Sequence, residues 1–189
     1  MISILKEHLI QHTKLNQEDI ITICTAFTPA TFKVDEAIIP ANSKVTFIGF
    51  IVEGICRAVE YQASGERTIH YFINAHHFFS EANGLFKNKP AKLAIEAATP
   101  CKIVYASIEE LYALTERIIG LERELYENKE KELVAIIEAQ EILHKGKSLE
   151  RYLAFIEQNP DMSKQIKDKD IAAYLGISKF TLSHLKKSL

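Results

Sequence analysis

The stretch DKDIAAYLGISKFTLSHL, residues 168–185, decides how the C-terminal part of the chain folds. Two helices that cross steeply through a tight turn need a small residue in the first helix, and Ala172 supplies it. The turn needs a residue that tolerates positive φ, and Gly176 follows four residues later. The apolar positions that both helices would bury are Ile171, Leu175, Ile177, Leu182 and Leu185. These offsets together predict a helix-turn-helix.

The second helix of this hairpin, residues 178–188, is then the candidate recognition helix, with Ser178 as its N-cap. Its first residues would face base edges in the major groove of duplex DNA. The predicted base contacts are Lys179, Phe180, Ser183 and His184. The predicted phosphate contacts are Ser178, Thr181, Lys186 and Lys187. The alternative is a solvated face for the lysines and an ordinary surface position for His184.

The charge distribution fits contact with DNA at one end of the chain. The net charge of the 189 residues is −2, but residues 141–189 hold nine Lys or Arg against six Asp or Glu. This segment is therefore +3, which leaves −5 for the rest. The first twelve residues are too short and too polar for a signal peptide, and no apolar run is long enough for a bilayer. We therefore expect a cytoplasmic protein without a membrane partner.

The three cysteines, Cys24, Cys56 and Cys101, are widely spaced and form no C-x-x-C pair. This spacing argues against a disulfide framework, a zinc knuckle or an iron–sulfur cluster. We expect three small buried apolar side chains, no metal and no cofactor. The alternative is that one of them is a redox-sensing thiol.

The rest of the chain divides into a helical start, a β-rich middle and a long helix. Residues 1–28 read as helical, with Asn16 as an N-cap. Short β-rich runs separated by turn signals fill residues 31–106, which indicates an antiparallel barrel, roll or sandwich. Residues 81–92 break this pattern and predict a short helix and loop.

Ser107 opens a capping box at the head of a long predicted helix, residues 107–140. Apolar residues then follow at alternating spacings of three and four, as in a heptad repeat. We interpret this seam as the contact between the two helices of a homodimer, with its last residue, Asn128, fixing the register of one helix against the other. The alternative is that the seam packs on the chain's own β-rich part. The seam positions are Leu111, Leu114, Ile118, Leu121, Leu125 and Asn128.

The chain resembles the Crp/Fnr family of bacterial transcription regulators over nearly its whole length. The resemblance is carried by SLERYL (148–153), NP (159–160), DIAAYLGIS (170–178) and TLSH (181–184), with IVEG (51–54) and GERTI (65–69) in the β-rich part. It implies an α+β protein with three parts. These are a jelly-roll-like β-roll of the cyclic-nucleotide-binding type at 1–106, a dimerisation helix at 107–140 and a helix-turn-helix domain at 141–189. It also implies a homodimeric, non-enzymatic regulator that binds double-stranded DNA, with RNA polymerase as a partner if it activates.

The effector region departs from the family pattern. Members that bind cyclic AMP carry Gly-Glu followed by Arg-Ala or Arg-Ser, and the corresponding stretch here runs from residue 79 to 93. Ser80 stands where glycine is expected, Glu81 matches, and Lys92 can replace only part of an arginine's planar fork. We predict an effector pocket at these three residues without physiological cyclic AMP binding. Operator preference does not carry over either, because His184 and Phe180 replace the family's usual arginine and frequent glutamate.

Two other functions compete with a DNA-binding regulator. The first is a β-roll signalling or protein-interaction module whose helical hairpin does not bind DNA. The second, more remote, is a cupin-like metalloenzyme built on His70, His76, His77 and Glu81. His76 and His77 are adjacent, so on a strand they would point to opposite faces, which is poor for joint chelation.

Overall fold

The computed structural model describes residues 1–63 and 65–188. Two helices, a β-roll and a helical C-terminal part follow one another along the chain. The N-terminal helices are α1 (Ile2–His12) and α2 (Gln17–Thr25). The roll contains β1 (Thr28–Phe32), β2 (Ala37–Ile39), β3 (Phe47–Glu53), β4 (Cys56–Tyr61), β5 (Arg67–Ile73), β6 (Phe78–Phe79), α3 (Ala82–Lys87), β7 (Ala94–Ala97) and β8 (Cys101–Ser107). The later helices are α4 (Ile108–Thr115), α5 (Leu121–Glu141), a 3-10 turn (Ile142–His144), α6 (Ser148–Gln158), α7 (Met162–Gln165), α8 (Asp168–Leu175) and α9 (Lys179–Lys187).

The roll consists of two antiparallel four-stranded sheets that face each other. Their strand orders are β1-β8-β3-β6 and β2-β7-β4-β5. Ile51 and Ile103 from the first sheet meet Ile95 from the second in a fully buried core. Burial of these branched side chains from water is the main force that holds the two sheets together. The predicted α+β class with a roll and C-terminal helices is confirmed.

The N-terminal helices pack on the outer face of the first sheet. Asn16 begins α2, and its Oδ1 accepts a hydrogen bond of 2.9 Å from the backbone N–H of Asp19. Leu5 and Ile20 are buried against Phe50 of β3. The predicted N-cap is therefore the one that the structure uses.

The helix expected over residues 107–140 is two helices, because the chain breaks between Glu116 and Gly120. Gly120 has a φ of +89° and precedes the first residue of α5. Glycine adopts this left-handed conformation without steric cost, so it can end one helical direction and start another. The single helix expected from the sequence is therefore interrupted at this glycine.

The heptad-like seam that begins at Leu111 packs on this chain's own β-roll and N-terminal helices. This is the alternative to a homodimer seam that the sequence left open. Leu111, Ile118 and Leu121 are buried with α1, α2 and β3, and Leu114 and Leu125 pack partly against the same cluster. Asn128 donates its side-chain N–H to the backbone oxygen of Glu124 at 3.1 Å, within its own helix. The exposed apolar side chains of α5 are instead Tyr126, Leu133, Val134 and Ile137.

The C-terminal helices pack on the second sheet. Ile69 of β5 and Val59 of β4 share one buried cluster with Ile171 of α8 and Phe155 of α6. The hydroxyl of Tyr174 also donates to the backbone oxygen of residue 139 at the end of α5. Burial raises the pKa of Tyr174 to about 12, so this hydroxyl keeps its proton at neutral pH. The roll and the helix-turn-helix therefore share one core.

Candidate nucleic-acid interface

The turn between α8 and α9 has the geometry that the sequence predicted. Gly176 ends α8 with a φ of +62°, and an added Cβ there would meet no atom within 4 Å. Glycine is therefore needed for its backbone conformation and not for lack of space. Ala172, four residues earlier, is buried where the two helices approach each other. Ile177 is partly buried against the same cluster.

The second helix begins at a capped N-terminus. The Oγ of Ser178 accepts a hydrogen bond of 3.0 Å from the backbone N–H of Thr181 and lies 2.8 Å from its side-chain oxygen. This cap satisfies one of the free N–H groups of the first turn. Leu182 is fully buried and Leu185 partly so, which fixes the inner face of α9.

The outer face of α9 is open to solvent. Phe180 is 74% exposed, so most of its ring surface is available for contact with a binding partner. Its ring lies edge-on to that of His184, with 4.5 Å between the ring centroids. Lys186 pairs with Asp168 of α8. The structure brings the predicted contact residues onto one exposed face: Ser178, Lys179, Phe180, Ser183, His184, Lys186 and Lys187, with Thr181 partly buried at its edge.

A buried group of charges, which we name the Arg57 cluster, fixes α8 on the roll. Arg57 of β4 is only 1% exposed, and its guanidinium donates to Asp170 at 2.8 Å and to Glu96 at 2.7 Å. It also donates to Asp35 at 2.6 Å. Asp170 is fully buried and accepts a second ion pair from Arg67. The first helix of the hairpin is therefore bound to two strands of the roll by charge-assisted hydrogen bonds.

The edge of the Arg57 cluster is solvent-accessible and includes two lysines of the C-terminal part. Lys167 and Lys169 lie 2.8 Å and 3.5 Å from Asp35. The hydrogen bonds from Lys167 and Arg57 hold the pKa of the Asp35 carboxyl well below its usual range. Burial opposes the charge of Arg57, but hydrogen bonds to Asp35 and Glu96 outweigh it and raise the pKa of Arg57. Asp35 and Arg57 therefore stay ionised at neutral pH.

The sequence reasoning missed this cluster. The one available signal was a single arginine in the otherwise apolar run that surrounds Cys56 and Ala58. A charged side chain in such a run needs a buried partner, because an unpaired buried charge is very costly. That partner, Asp170, is 113 residues away in the chain. No local pattern could have connected the two.

The predicted effector residues are neighbours, but their polar atoms bind groups of this chain. The Oγ of Ser80 donates to the backbone oxygen of Phe47 at 3.0 Å. Glu81 is buried, and its two oxygens accept from the N–H groups of Gly84 at 3.0 Å and Leu93 at 3.4 Å. Lys92 points away from them.

The ammonium of Lys92 pairs with Glu60 at 3.2 Å, and His70 lies 2.8 Å from the same carboxylate. A cleft of about 710 Å³ lies between the roll and α5. Ser80 lines it, whereas Glu81 and Lys92 do not. The three predicted effector residues therefore do not face one common space.

The histidines that motivated the metalloenzyme alternative do not meet at one point. His70 pairs with Glu60, whereas His76 sits in the β5–β6 turn with a φ of +68°. Within residues 1–63 and 65–188, no three His, Cys, Asp or Glu side chains are grouped so that they could hold a metal ion. In the same residues, no helix is both long and apolar enough to cross a bilayer.

Comparison with known proteins gives the class of the central domain. Residues 29–118 match the family model described as the cyclic nucleotide-binding domain. No curated protein sequence is significantly similar to this chain.

Several solved structures share the fold over most of the chain. FixK2 from Bradyrhizobium japonicum is 21% identical, with a TM-score of 0.72 over 86% of this chain and 84% of that one. The c-di-GMP responsive global regulator CLP of Xanthomonas campestris is 13% identical, with a TM-score of 0.73 over 92% and 91%. A CRP-family transcriptional regulator from Thermus thermophilus is 18% identical, with a TM-score of 0.68 over 85% and 83%. The chain thus has the fold of Crp/Fnr transcription regulators, and the predicted resemblance is confirmed.

Proposed function

We propose that this protein is a cytoplasmic, homodimeric, sequence-specific DNA-binding transcription regulator of the Crp/Fnr type and not an enzyme. The observation that carries the proposal is the outer face of α9, where Lys179, Phe180 and His184 are exposed on a helix whose inner face is sealed by Leu182. A helix presented in this way can enter the major groove. If the regulator activates transcription, RNA polymerase is its further partner.

Exposed side chains of α9 would make the contacts with base edges. Lys179 can donate to guanine O6 or N7, and His184 to a base or a phosphate. The exposed ring of Phe180 offers an apolar contact to a thymine methyl group. The hydroxyls of Ser178 and Thr181 lie at the helix N-terminus, where the N–H groups and the helix dipole favour a phosphate.

In the proposed dimer, helix α5 is the element that would contact the second chain. Leu133, Val134 and Ile137 are exposed there and form an apolar stripe that a partner helix would cover. Leu125 and Asn128, from the seam that the sequence predicted, lie on the same helix closer to the roll. The two recognition helices of the dimer would then have to sit about one DNA turn, roughly 34 Å, apart.

We further propose that cyclic AMP is not the physiological effector. The two oxygens of Glu81 already accept backbone N–H groups, and Lys92 is paired with Glu60. The only arginines of residues 29–106, Arg57 and Arg67, both bind Asp170. A cyclic phosphate would therefore find no free guanidinium in the roll. Titration calorimetry should show no micromolar binding, and a measurable micromolar affinity would contradict the proposal.

The experiment that tests DNA binding is fluorescence anisotropy with duplexes selected from genomic fragments. The two phosphate-contact lysines of α9, Lys186 and Lys187, predict a fall in log affinity of roughly 4 per tenfold rise in salt for a dimer. Lys187→Ala, at a predicted phosphate contact, should reduce this slope by about 1 per chain, whereas Lys179→Ala, at a predicted base contact, should relax the base preference at one position. Lys102→Ala, at an exposed lysine of β8, is the matched control and should leave the slope unchanged.

The competing protein-interaction module predicts a different result in the same assay. If no duplex binds even at low salt, the hairpin does not serve DNA recognition, and the regulator proposal fails. Weak binding whose slope is the same in the Lys187→Ala and Lys102→Ala variants would place the DNA contact elsewhere on the chain.

A further inference from the structure

Two of the three cysteines approach each other inside the roll. The Sγ atoms of Cys56 and Cys101 are 3.8 Å apart, although the residues stand 45 positions apart in the chain. Both are free thiols, and both are almost completely buried. Cys56 belongs to β4 of one sheet and Cys101 to β8 of the facing sheet. A disulfide needs about 2.05 Å between the sulfurs, so a movement of roughly 1.8 Å would join the two sheets covalently.

The two thiols have different surroundings. The thiol of Cys101 lies 3.3 Å from the backbone oxygen of Ile55 and 3.2 Å from that of Thr99. The hydrogen bond with Cys56 lowers the pKa of Cys101, because it stabilises the first thiolate of the pair. The same bond, together with burial, raises the pKa of Cys56.

The β3–β4 turn packs directly against the sulfur of Cys101. Gly54, in the β3–β4 turn, has a φ of +98°. A Cβ at this position would lie 2.8 Å from the Sγ of Cys101 and 2.4 Å from the backbone oxygen of Pro100. No side chain therefore fits at position 54, and since Cys101 is only 1% exposed, a small oxidant reaches its sulfur only when this turn opens locally. Cys24 lies in α2, in a different buried cluster.

We propose that Cys56 and Cys101 form a modification site at which a hydroperoxide produces a reversible disulfide. The thiolate of Cys101 attacks the O–O bond of hydrogen peroxide and becomes a sulfenic acid, and the displaced hydroxide takes the thiol's proton and leaves as water. The sulfur of Cys56 then attacks the sulfenic sulfur. The S–S bond forms, and the sulfenic oxygen departs with the Cys56 proton as a second water. Two thiols lose two electrons, which reduce one peroxide to two waters.

The site is coupled to the DNA-binding hairpin through the chain itself. Cys56 directly precedes Arg57, whose guanidinium binds Asp170 of α8. Drawing β4 towards β8 at Cys56 displaces the Arg57 cluster and loosens the hold of the roll on the hairpin. We expect the oxidised form to bind duplex DNA at least fivefold more weakly. This second step rests on the proposed function, whereas disulfide formation does not.

Peptide mapping tests the site directly. Trypsin places the three cysteines in separate peptides, residues 15–33, 45–57 and 93–102. The folded protein is treated with hydrogen peroxide, alkylated with iodoacetamide and digested without a reductant. The expected result is a linked 45–57/93–102 peptide, an alkylated 15–33 peptide, and return of both thiols with dithiothreitol.

Two variants sharpen the measurement. Cys24→Ala should form the linked peptide like the parent chain, and Cys56→Ala should stop at an oxidised Cys101 that dimedone captures as the sulfenic acid. The site proposal is overturned if Cys24 reacts first, or if the linked peptide appears only after denaturation. It is also overturned if the parent chain accumulates sulfenic acid at Cys101 without the linkage.

Anisotropy on the reduced and oxidised forms separates the two proposals. If the disulfide forms but the reduced protein binds no duplex, the regulator assignment fails and the modification site stands. If the reduced protein binds duplex and no disulfide forms, the modification site fails alone. If both occur and the two affinities agree within twofold, the coupling through Arg57 is wrong.

Discussion

Replacement of Arg57 by methionine should be among the most destabilising single changes in the roll. Arg57→Met keeps an unbranched side chain of similar length in the core but removes the cation from between Glu96 and Asp170. Asp170 would keep its ion pair with Arg67. Glu96, which is 5% exposed, would keep only the hydroxyl of Tyr61. The variant therefore leaves a buried carboxylate without a counter-charge.

The expected loss follows from the burial of these groups. Removing one partner of a buried ion pair costs about 3–5 kcal/mol, because the remaining charge is uncompensated. A domain of this kind is stable by only about 5–15 kcal/mol, so the variant loses a large part of its stability. An exposed pair contributes about 0–1 kcal/mol. Lys102→Met removes such a pair, because Lys102 and Glu53 are both at least half exposed, and it is the matched control.

Urea unfolding followed by circular dichroism measures both variants. We expect Arg57→Met to lower the free energy of unfolding by about 3–5 kcal/mol and Lys102→Met by less than about 1 kcal/mol. The double variant Arg57→Met/Asp170→Asn should lose less than the sum of its single variants, because the two residues interact directly. Equal losses for Arg57→Met and Lys102→Met would refute the argument that the cluster is buried and tightly paired.

Three further predictions concern other parts of the molecule. Burial and the nearby His12, His76, His77 and Lys131 lower the pKa of His8 from 6.5 to about 4. Below pH 6.5 the imidazole of His8 therefore binds a proton in the unfolded chain but not in the folded chain. The free energy of unfolding consequently falls as the pH is lowered from 6.5 to 4. After allowance for solvent screening, His8→Gln should remove about 1–2 kcal/mol of this loss in urea titrations across that range, and an unchanged pH profile would contradict it. Ile137→Glu should convert the proposed dimer to a monomer in light scattering, whereas the control Ile119→Glu, at a 97% exposed turn residue, should not; a dimeric Ile137→Glu would exclude this stripe. Gly176→Ala forces a non-glycine residue to a φ of +62° and should cost about 1–2 kcal/mol in thermal unfolding, so an unchanged melting temperature would argue against the turn.

The features that the sequence predicted well depend on residues close together in the chain. Gly176, Ala172 and Ser178 lie within seven positions, and the offsets between them report the geometry of one turn. Asn16 and Ser107 were likewise recognisable as helix caps, because a cap bonds to an N–H only three residues away. Local chemistry of this kind leaves a readable pattern.

The features that were missed depend on contacts between distant parts of the chain. Nothing near Arg57 indicates that its partner lies in α8, and nothing near Cys56 indicates that Cys101 faces it. The heptad spacing of Leu111, Ile118 and Leu121 was read correctly as one apolar face, but the spacing cannot tell whether that face meets a second chain or the first. Only the tertiary structure decides between these partners.

The shared core of roll and hairpin has a consequence for engineering. A fragment that begins at residue 141 would expose Ile171 to solvent and would leave the carboxylate of Asp170 without its partner Arg57. The truncated roll would in turn expose Ile69. Helix α9 therefore cannot be transplanted as an independent unit. A chimera that places α8 and α9 on another roll would need an arginine at the position of Arg57, or a neutral residue in place of Asp170, before the graft could fold.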